Sequence, residues 1–211
     1  MTTRWERIAR QTVGEQYAAS YAERFRAMAA RGQDIHGEAT FVSGLLAAPA
    51  RVLDAGCGTG RIAVRLDELG YDVVGVDVDP SMLAVARAEA PGLDWRLGDL
   101  ATLDLGPEMH GAFDLVLVAG NTLPLLEPGT LTAACARLAV HVAPVGRVVC
   151  GFGLDAAHLP GDCPPTPLAE VDAAMAAAGL LPVARFGTWA GDDFTEAGGY
   201  VVTVHARSEE S

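Results

Sequence analysis

The chain has 211 residues, half of them hydrophobic, and carries a formal net charge of −12 with a pI near 4.7. That length suits one domain with a sizeable core, and a mean hydropathy of +0.24 excludes a disordered chain. Twenty-seven acidic side chains against fifteen basic ones exclude a broad nucleic-acid surface, which needs basic stripes.

No run approaches the ~18 apolar residues of a membrane span, and the first ten residues hold no apolar signal core. The expectation is a cytoplasmic protein with no membrane partner. The four cysteines form no C-x-x-C pair, which argues against zinc or a disulfide framework, so no metal is expected. Cys57, Cys135 and Cys150 fall in apolar segments and read as small core residues. Cys163 lies in a Pro-rich loop and is expected at the surface.

In chain order, residues 1–49 carry no strand pattern. Ala18, Tyr21, Phe25 and Met28 follow helical spacing up to a stop at Gly32. A second helix is predicted over 36–46, with Ala39, Val42 and Leu45 inward and Pro49 closing it. The pair either packs on a sheet or covers a ligand as a lid.

Residues 51–61 organise the rest. An apolar run (Val52, Leu53) reaches Asp54, breaks into Gly56, Gly58 and Gly60, and re-emerges as a helix with Ile62, Leu66 and Leu69 on one face. This is a strand, a tight turn and a helix start, whose open N–H groups suit a ligand bearing a carboxylate. A phosphate-gripping P-loop needs a Lys, and all fifteen basic residues are Arg. A dinucleotide turn reads G-x-G-x-x-G, whereas the spacing here is G-x-G-x-G with an acid two residues before it. That acid suits a ligand with cationic groups better than a diphosphate.

A second strand over 72–77 ends in Asp77, where a carboxylate can accept from ribose hydroxyls. Asp79-Pro80-Ser81 is an N-cap with Pro at N1, opening a helix to about Glu89. A third strand over 93–97 runs into Gly98-Asp99-Leu100. The nearly continuous apolar run 113–119 marks a central parallel strand, ending at Gly120-Asn121. A helix over 130–142 follows, with His141 near its negative end as a solvated or dipole-pairing residue. Residues 144–146 turn into a fifth strand over 147–152. The Pro-rich loop 154–167, holding Asp155 and His158, is read as a wall on the acceptor side of the site. A helix over 168–178 and two β-rich runs, 182–189 and 200–207, close the chain as an antiparallel hairpin.

Asp54-x-Gly56-x-Gly58-x-Gly60 resembles motif I of the class I S-adenosylmethionine-dependent methyltransferases. Gly75-Val76-Asp77-Val78-Asp79-Pro80-Ser81-Met82-Leu83 is similar to the pattern that follows it in that family, and the likeness runs over about 50–207. The resemblance implies an α/β fold with a doubly wound, mainly parallel seven-stranded sheet and an antiparallel C-terminal hairpin. Residues 1–49 would be the helical lid and 50–211 the cofactor-binding core of a single domain.

It also implies S-adenosylmethionine as cofactor, held by Asp54, Gly56, Cys57, Gly58 and Gly60 at the turn. Asp77 would hold the ribose, Asp99 the adenine amino group, and Leu100 the ring. Val78 and Met82 either pack near the adenosine or are ordinary core. Ala119, Gly120 and Asn121 fall where a strand end meets cofactor or acceptor, although Asn121 also suits a simple turn. Tyr17, Tyr21, His36, Glu38 and Asp155 are candidates for the acceptor pocket. The implied reaction is in-line displacement at the sulfonium methyl, releasing S-adenosylhomocysteine. No motif anchors a general base, and His158 is the candidate. A small-molecule acceptor is expected, because no Asn-Pro-Pro-Tyr motif follows the fourth strand and the charge disfavours nucleic acid. Two rival readings stay open: a silent S-adenosylmethionine-binding sensor or scaffold, and a nicotinamide-dependent oxidoreductase, disfavoured by the glycine spacing and Asp54.

Overall fold

The structure, a computed structural model, describes residues 3–207. Strands β1 (Arg51–Ala55), β2 (Asp72–Asp77), β3 (Asp94–Leu97), β4 (Phe113–Val118), β5 (Val142–Gly153), β6 (Leu180–Phe186) and β7 (Tyr200–Arg207) form one sheet in the order β3-β2-β1-β4-β5-β7-β6. The first five run parallel, and β7 inserts antiparallel between β5 and β6. The helices are α1 (Arg4–Val13), α2 (Tyr17–Ala30), α3 (Gly37–Leu45), α4 (Arg61–Glu68), α5 (Pro80–Glu89), α6 (Leu131–His141) and α7 (Leu168–Ala177). None of the described helices is long and apolar enough to cross a membrane.

Both faces of the sheet are covered, which is why β4 reads as a nearly continuous apolar run, broken only by the exposed Asp114. Val116 and Val118 pack on one face with Leu138 of α6 and Met175 of α7. Leu115 and Leu117 pack on the other with Val42 of α3, Leu66 of α4 and Leu83 of α5. The chain leaves β1 towards β2 and β3 and later returns to place β4 on the opposite side. That reversal opens a crevice at the carboxyl ends of β1 and β4, where ligands of such sheets sit.

Several local expectations are corrected. An additional helix, α1, precedes the two expected ones. It is opened by a capping box in which the Thr3 hydroxyl accepts from Glu6 N and the Glu6 carboxylate accepts from Thr3 N. Leu45 and Leu69 are exposed rather than inward; each sits at or just past a helix end, where no neighbouring element covers it. The expected turn at 144–146 lies inside β5. Pairing with β4 jumps from Phe113↔Val142 to Leu115↔Arg147, so the extra residues bulge outward and Val145 is left 85% exposed. His141 is fully buried, because the segment carrying Leu105 and His110 folds over the end of α6: its Nδ1 lies 2.7 Å from Arg137 O, and Leu105 N donates to Nε2 at 3.2 Å. Cys163 is also buried, in a small cluster with Ile8 of α1 and Leu159, its Sγ 3.4 Å from Pro124 O. The element that covers it is α1.

Candidate active site at the strand ends

The glycine turn is fastened to β2. Gly56 N and Cys57 N both donate to Val76 O, at 2.8 and 2.9 Å, and Gly58 N donates to Asp77 Oδ2 at 2.7 Å. Gly56 adopts φ 86°, and a Cβ there would lie 2.5 Å from the Thr122 side chain, so no larger residue fits. Asp77 Oδ1 accepts from Asp79 N at 2.9 Å. Burial pushes the Asp77 carboxyl up to about 6, against the opposing pull of the Asp79 and Gly58 N–H groups.

Asp79 is the next anchor. Its Oδ1 caps α5 through Ser81 N at 2.8 Å, while its Oδ2 accepts from Tyr17 OH at 2.5 Å and Trp5 Nε1 at 3.0 Å. Burial works against its charge, but the hydroxyls of Tyr17 and Ser81 and the helix N–H groups outweigh it and hold the carboxyl below its usual range. Helices α1 and α2 are thereby pinned to the turn that follows Asp77. At the start of α4, Arg61 makes a two-pronged pair with Glu38 of α3 at 2.6 and 2.9 Å and stacks over Phe25 of α2, 4.4 Å from the ring centroid. Both partners are about 85% buried. One guanidinium thus joins α2, α3 and α4 beside the turn.

These elements enclose a cavity of about 450 Å³, within the range of small-molecule sites. Gly56, Cys57, Gly58, Asp77, Val78, Met82, Asp99, Leu100, Ala119, Gly120 and Asn121 all line it, as do Tyr21, Glu38 and His158. Five expected residues do not. Asp54 is buried beneath the turn near Arg61 and Asp77, and burial raises its carboxyl to about 7. Gly60 lies behind the turn, where a Cβ would be 2.5 Å from the Trp95 ring. Tyr17 points at Asp79, His36 sits at the start of α3 outside the lining, and Asp155 stands behind His158.

Trp5, Arg24, Phe25, Arg61, Leu125 and Leu126 line the cavity as well, although the sequence marked none of them for this role. Phe25 lies on the Tyr21 stripe read as packing, and Arg61 directly follows the glycine motif; those were the available signals. Among the described residues Arg24 makes no ion pair, its guanidinium resting against the Tyr21 and Phe25 rings. Asn121, with φ 66°, is the one non-glycine residue among those described with positive φ. Its Nδ2 donates to His158 O at 2.9 Å and its Oδ1 accepts from Gly153 N at 2.7 Å.

Away from the cavity, Asp104, His110 and His141 bring ligand atoms within 4.8 Å of one another. Both ring nitrogens of His141 are already engaged with backbone, so its lone pair is not free for a metal.

Residues 52–146 match the family model described as a methyltransferase domain. The chain is similar to a TehB-like S-adenosylmethionine-dependent methyltransferase from Corynebacterium glutamicum, at 31% identity over 91% of this chain and 98% of that one, with a TM-score of 0.81. It is also similar to CalS10 from Micromonospora echinaspora, described as an amino pentose methyltransferase involved in calicheamicin biosynthesis, at 26% identity over 90% and 97% of the two chains and a TM-score of 0.69. A demethylmenaquinone methyltransferase from Thermus thermophilus is 49% identical over 76 residues, which are 34% of each protein. The match thus spans about a third of that curated relative's length. With the seven-stranded sheet, the inserted antiparallel β7 and the acid-flanked glycine turn in place, the chain belongs to the S-adenosylmethionine-dependent methyltransferases.

Proposed function

We propose that the protein binds S-adenosylmethionine in this cavity and transfers its methyl group to a small-molecule acceptor. The observation that carries the reading is Asp77, a buried carboxylate at the end of β2 held over the glycine turn by Gly58 N, with no cationic side chain among the described residues bonded to it. The donor set fits the cofactor along its length. Asp77 would accept from the ribose hydroxyls. Asp99 would accept from the adenine amino group, with Val78, Met82 and Leu100 as apolar flanks, and Arg24 would face the carboxylate. Helices α1–α3 would act as the lid over this site, with Tyr21 and Glu38 on its inner side.

The cofactor supplies a methyl group already activated by a cationic sulfur. The chain's own work is alignment and exclusion of water, which is worth several kcal/mol without a proton transfer. The apolar lining at Leu125, Leu126, Leu159 and Pro160 suits a small acceptor. The names of two relatives, an amino pentose methyltransferase and a demethylmenaquinone methyltransferase, support the same class.

Calorimetric titration with S-adenosylmethionine, S-adenosylhomocysteine and NADH tests the reading. Saturable binding of the two sulfur compounds and none of NADH is expected. If neither sulfur compound binds, the proposal is wrong.

A further inference from the structure

At one wall of the cavity a carboxylate, an imidazole and an amide are built into a single unit. Asp155 caps the short 3₁₀ turn 156–158, its Oδ1 accepting from Ala157 N at 3.0 Å and His158 N at 3.2 Å. The same oxygen lies 2.8 Å from His158 Nδ1. An ionised carboxylate only accepts, so Nδ1 carries the hydrogen, and in the neutral imidazole the lone pair is then on Nε2. The pairing holds the Asp155 carboxyl below its usual range. The two contacts of Asn121 tie this turn, through His158 O, to the end of β5, through Gly153 N. Across from it, a Cβ on Gly199 would fall 2.5 Å from His158 Nδ1, so β7 begins tight against the pair.

We propose that His158, oriented by Asp155 and tethered by Asn121, is the general base of the transfer, and that the acceptor is therefore a hydroxyl or an ammonium compound. The inference rests on the methyltransferase reading and narrows it. Thioethers and tertiary amines have no proton to lose on methylation, whereas a hydroxyl or ammonium must shed one. His158 Nε2 takes that proton as the acceptor's oxygen or nitrogen bonds to the methyl carbon. The carbon–sulfur bond breaks with its electron pair left on sulfur, and the imidazolium returns the proton to water. Asp155 is a positioning residue that selects the tautomer, and Asn121 one that holds the turn. The other titratable ring facing His158 is Tyr200 of β7, with its centroid 6.4 Å away.

Two measurements on the full chain test this. Nitrogen-15 NMR of histidine-labelled protein, with the His158 signal assigned by its loss in His158→Gln, reads the tautomer without any ligand. The Nδ1–H form is expected in the wild type and a shift towards Nε2–H in Asp155→Ala. Turnover is then followed on a panel of phenols, sugar hydroxyls, primary amines, tertiary amines and thioethers. His158→Gln should lower kcat on the hydroxyl or amine acceptor by about 10²–10⁴-fold, with Asp155→Ala in between. Calorimetric affinity for S-adenosylmethionine should stay within about twofold of wild type in both variants, since neither residue is assigned to the cofactor. An Nε2–H tautomer in the wild type, unchanged kcat in His158→Gln, or turnover confined to tertiary amines and thioethers would overturn the proposal. Failure of the wild type to bind S-adenosylmethionine would instead overturn the underlying reading, and the tautomer measurement keeps the two apart.

Discussion

Replacing Asp77 by Asn probes the centre of the site while leaving its shape intact. In the wild type the two carboxylate oxygens accept from Gly58 N at 2.7 Å and Asp79 N at 2.9 Å. An amide offers only one acceptor, so its NH2 must face one of those N–H groups and leave it unpaired in a buried setting. That costs about 1–3 kcal/mol, which at neutral pH is offset by relief of the burial that pushes the wild-type carboxyl up to about 6, so Tm should move by only a few degrees, at roughly 2–4 °C per kcal/mol for this chain length. Losing charge-assisted bonds to the ribose costs a further 1.5–3 kcal/mol or so of binding, which is about a 10–100-fold rise in Kd.

The pH dependence gives a sharper signature. Asp77 ionises at about 6 in the folded chain, so affinity for S-adenosylmethionine should fall below that pH, by up to about 1.4 kcal/mol per pH unit. Stability of the free protein runs the other way. The folded-state values of Asp77 and Asp54, about 6 and about 7, lie above the ordinary 3.8. Their contribution is fully present below pH 3.8 and is lost as pH rises through 6–7. Titration calorimetry of wild type and Asp77→Asn between pH 5 and pH 8 checks the binding trend, and urea unfolding of the free proteins over the same range checks the stability trend. Wild-type affinity in the variant would refute the ribose assignment. A pH dependence that survives in Asp77→Asn and vanishes in Asp54→Asn would move the role to Asp54.

Glu38→Gln removes the charge partner of Arg61 in a pair that is about 85% buried. A loss of about 2–3 kcal/mol is expected, below the 3–5 of a fully buried pair, and thermal unfolding would read it as a fall of several degrees; an unchanged Tm would show that the bridge contributes nothing. His205 is fully buried in β7, and burial pushes it from 6.5 down to about 4, with Asp172 opposing and Arg185 adding to the shift. The unfolded chain therefore binds the proton first, so its contribution is complete above pH 6.5 and is lost as pH falls towards 4. At about 1.4 kcal/mol per pH unit this amounts to roughly 3 kcal/mol. Urea unfolding of wild type and His205→Gln at pH 7 and pH 5 should show a smaller pH effect in the variant; equal slopes would exclude His205 as the source.

Much of the fold was legible because local chemistry and tertiary role coincide. Asp54-x-Gly56-x-Gly58-x-Gly60 specifies a strand, a turn and a helix by spacing alone, and Asp79-Pro80 caps α5 as written. The apolar run of β4 demanded a strand covered on both faces, and the two clusters packed on it meet that demand. Such features depend on neighbours in the chain, and periodicity and caps record those neighbours.

What only the tertiary structure decided depends on residues far apart in sequence. The aromatic stripe of α2 has the same spacing whether it packs or lines a cavity; Tyr17 turned to Asp79, 62 residues away, while Tyr21 faced the cavity. Asp54 is written like a ligand-facing acid yet is buried, because it still lies within β1, paired with Gly75 of β2 and Leu117 of β4. Arg61 gained its place from Glu38, 23 residues earlier, and His158 was tied to Asn121, 37 residues before it. A side chain's type and spacing determine the backbone it favours, but the partner it meets is set by how the sheet brings distant segments together.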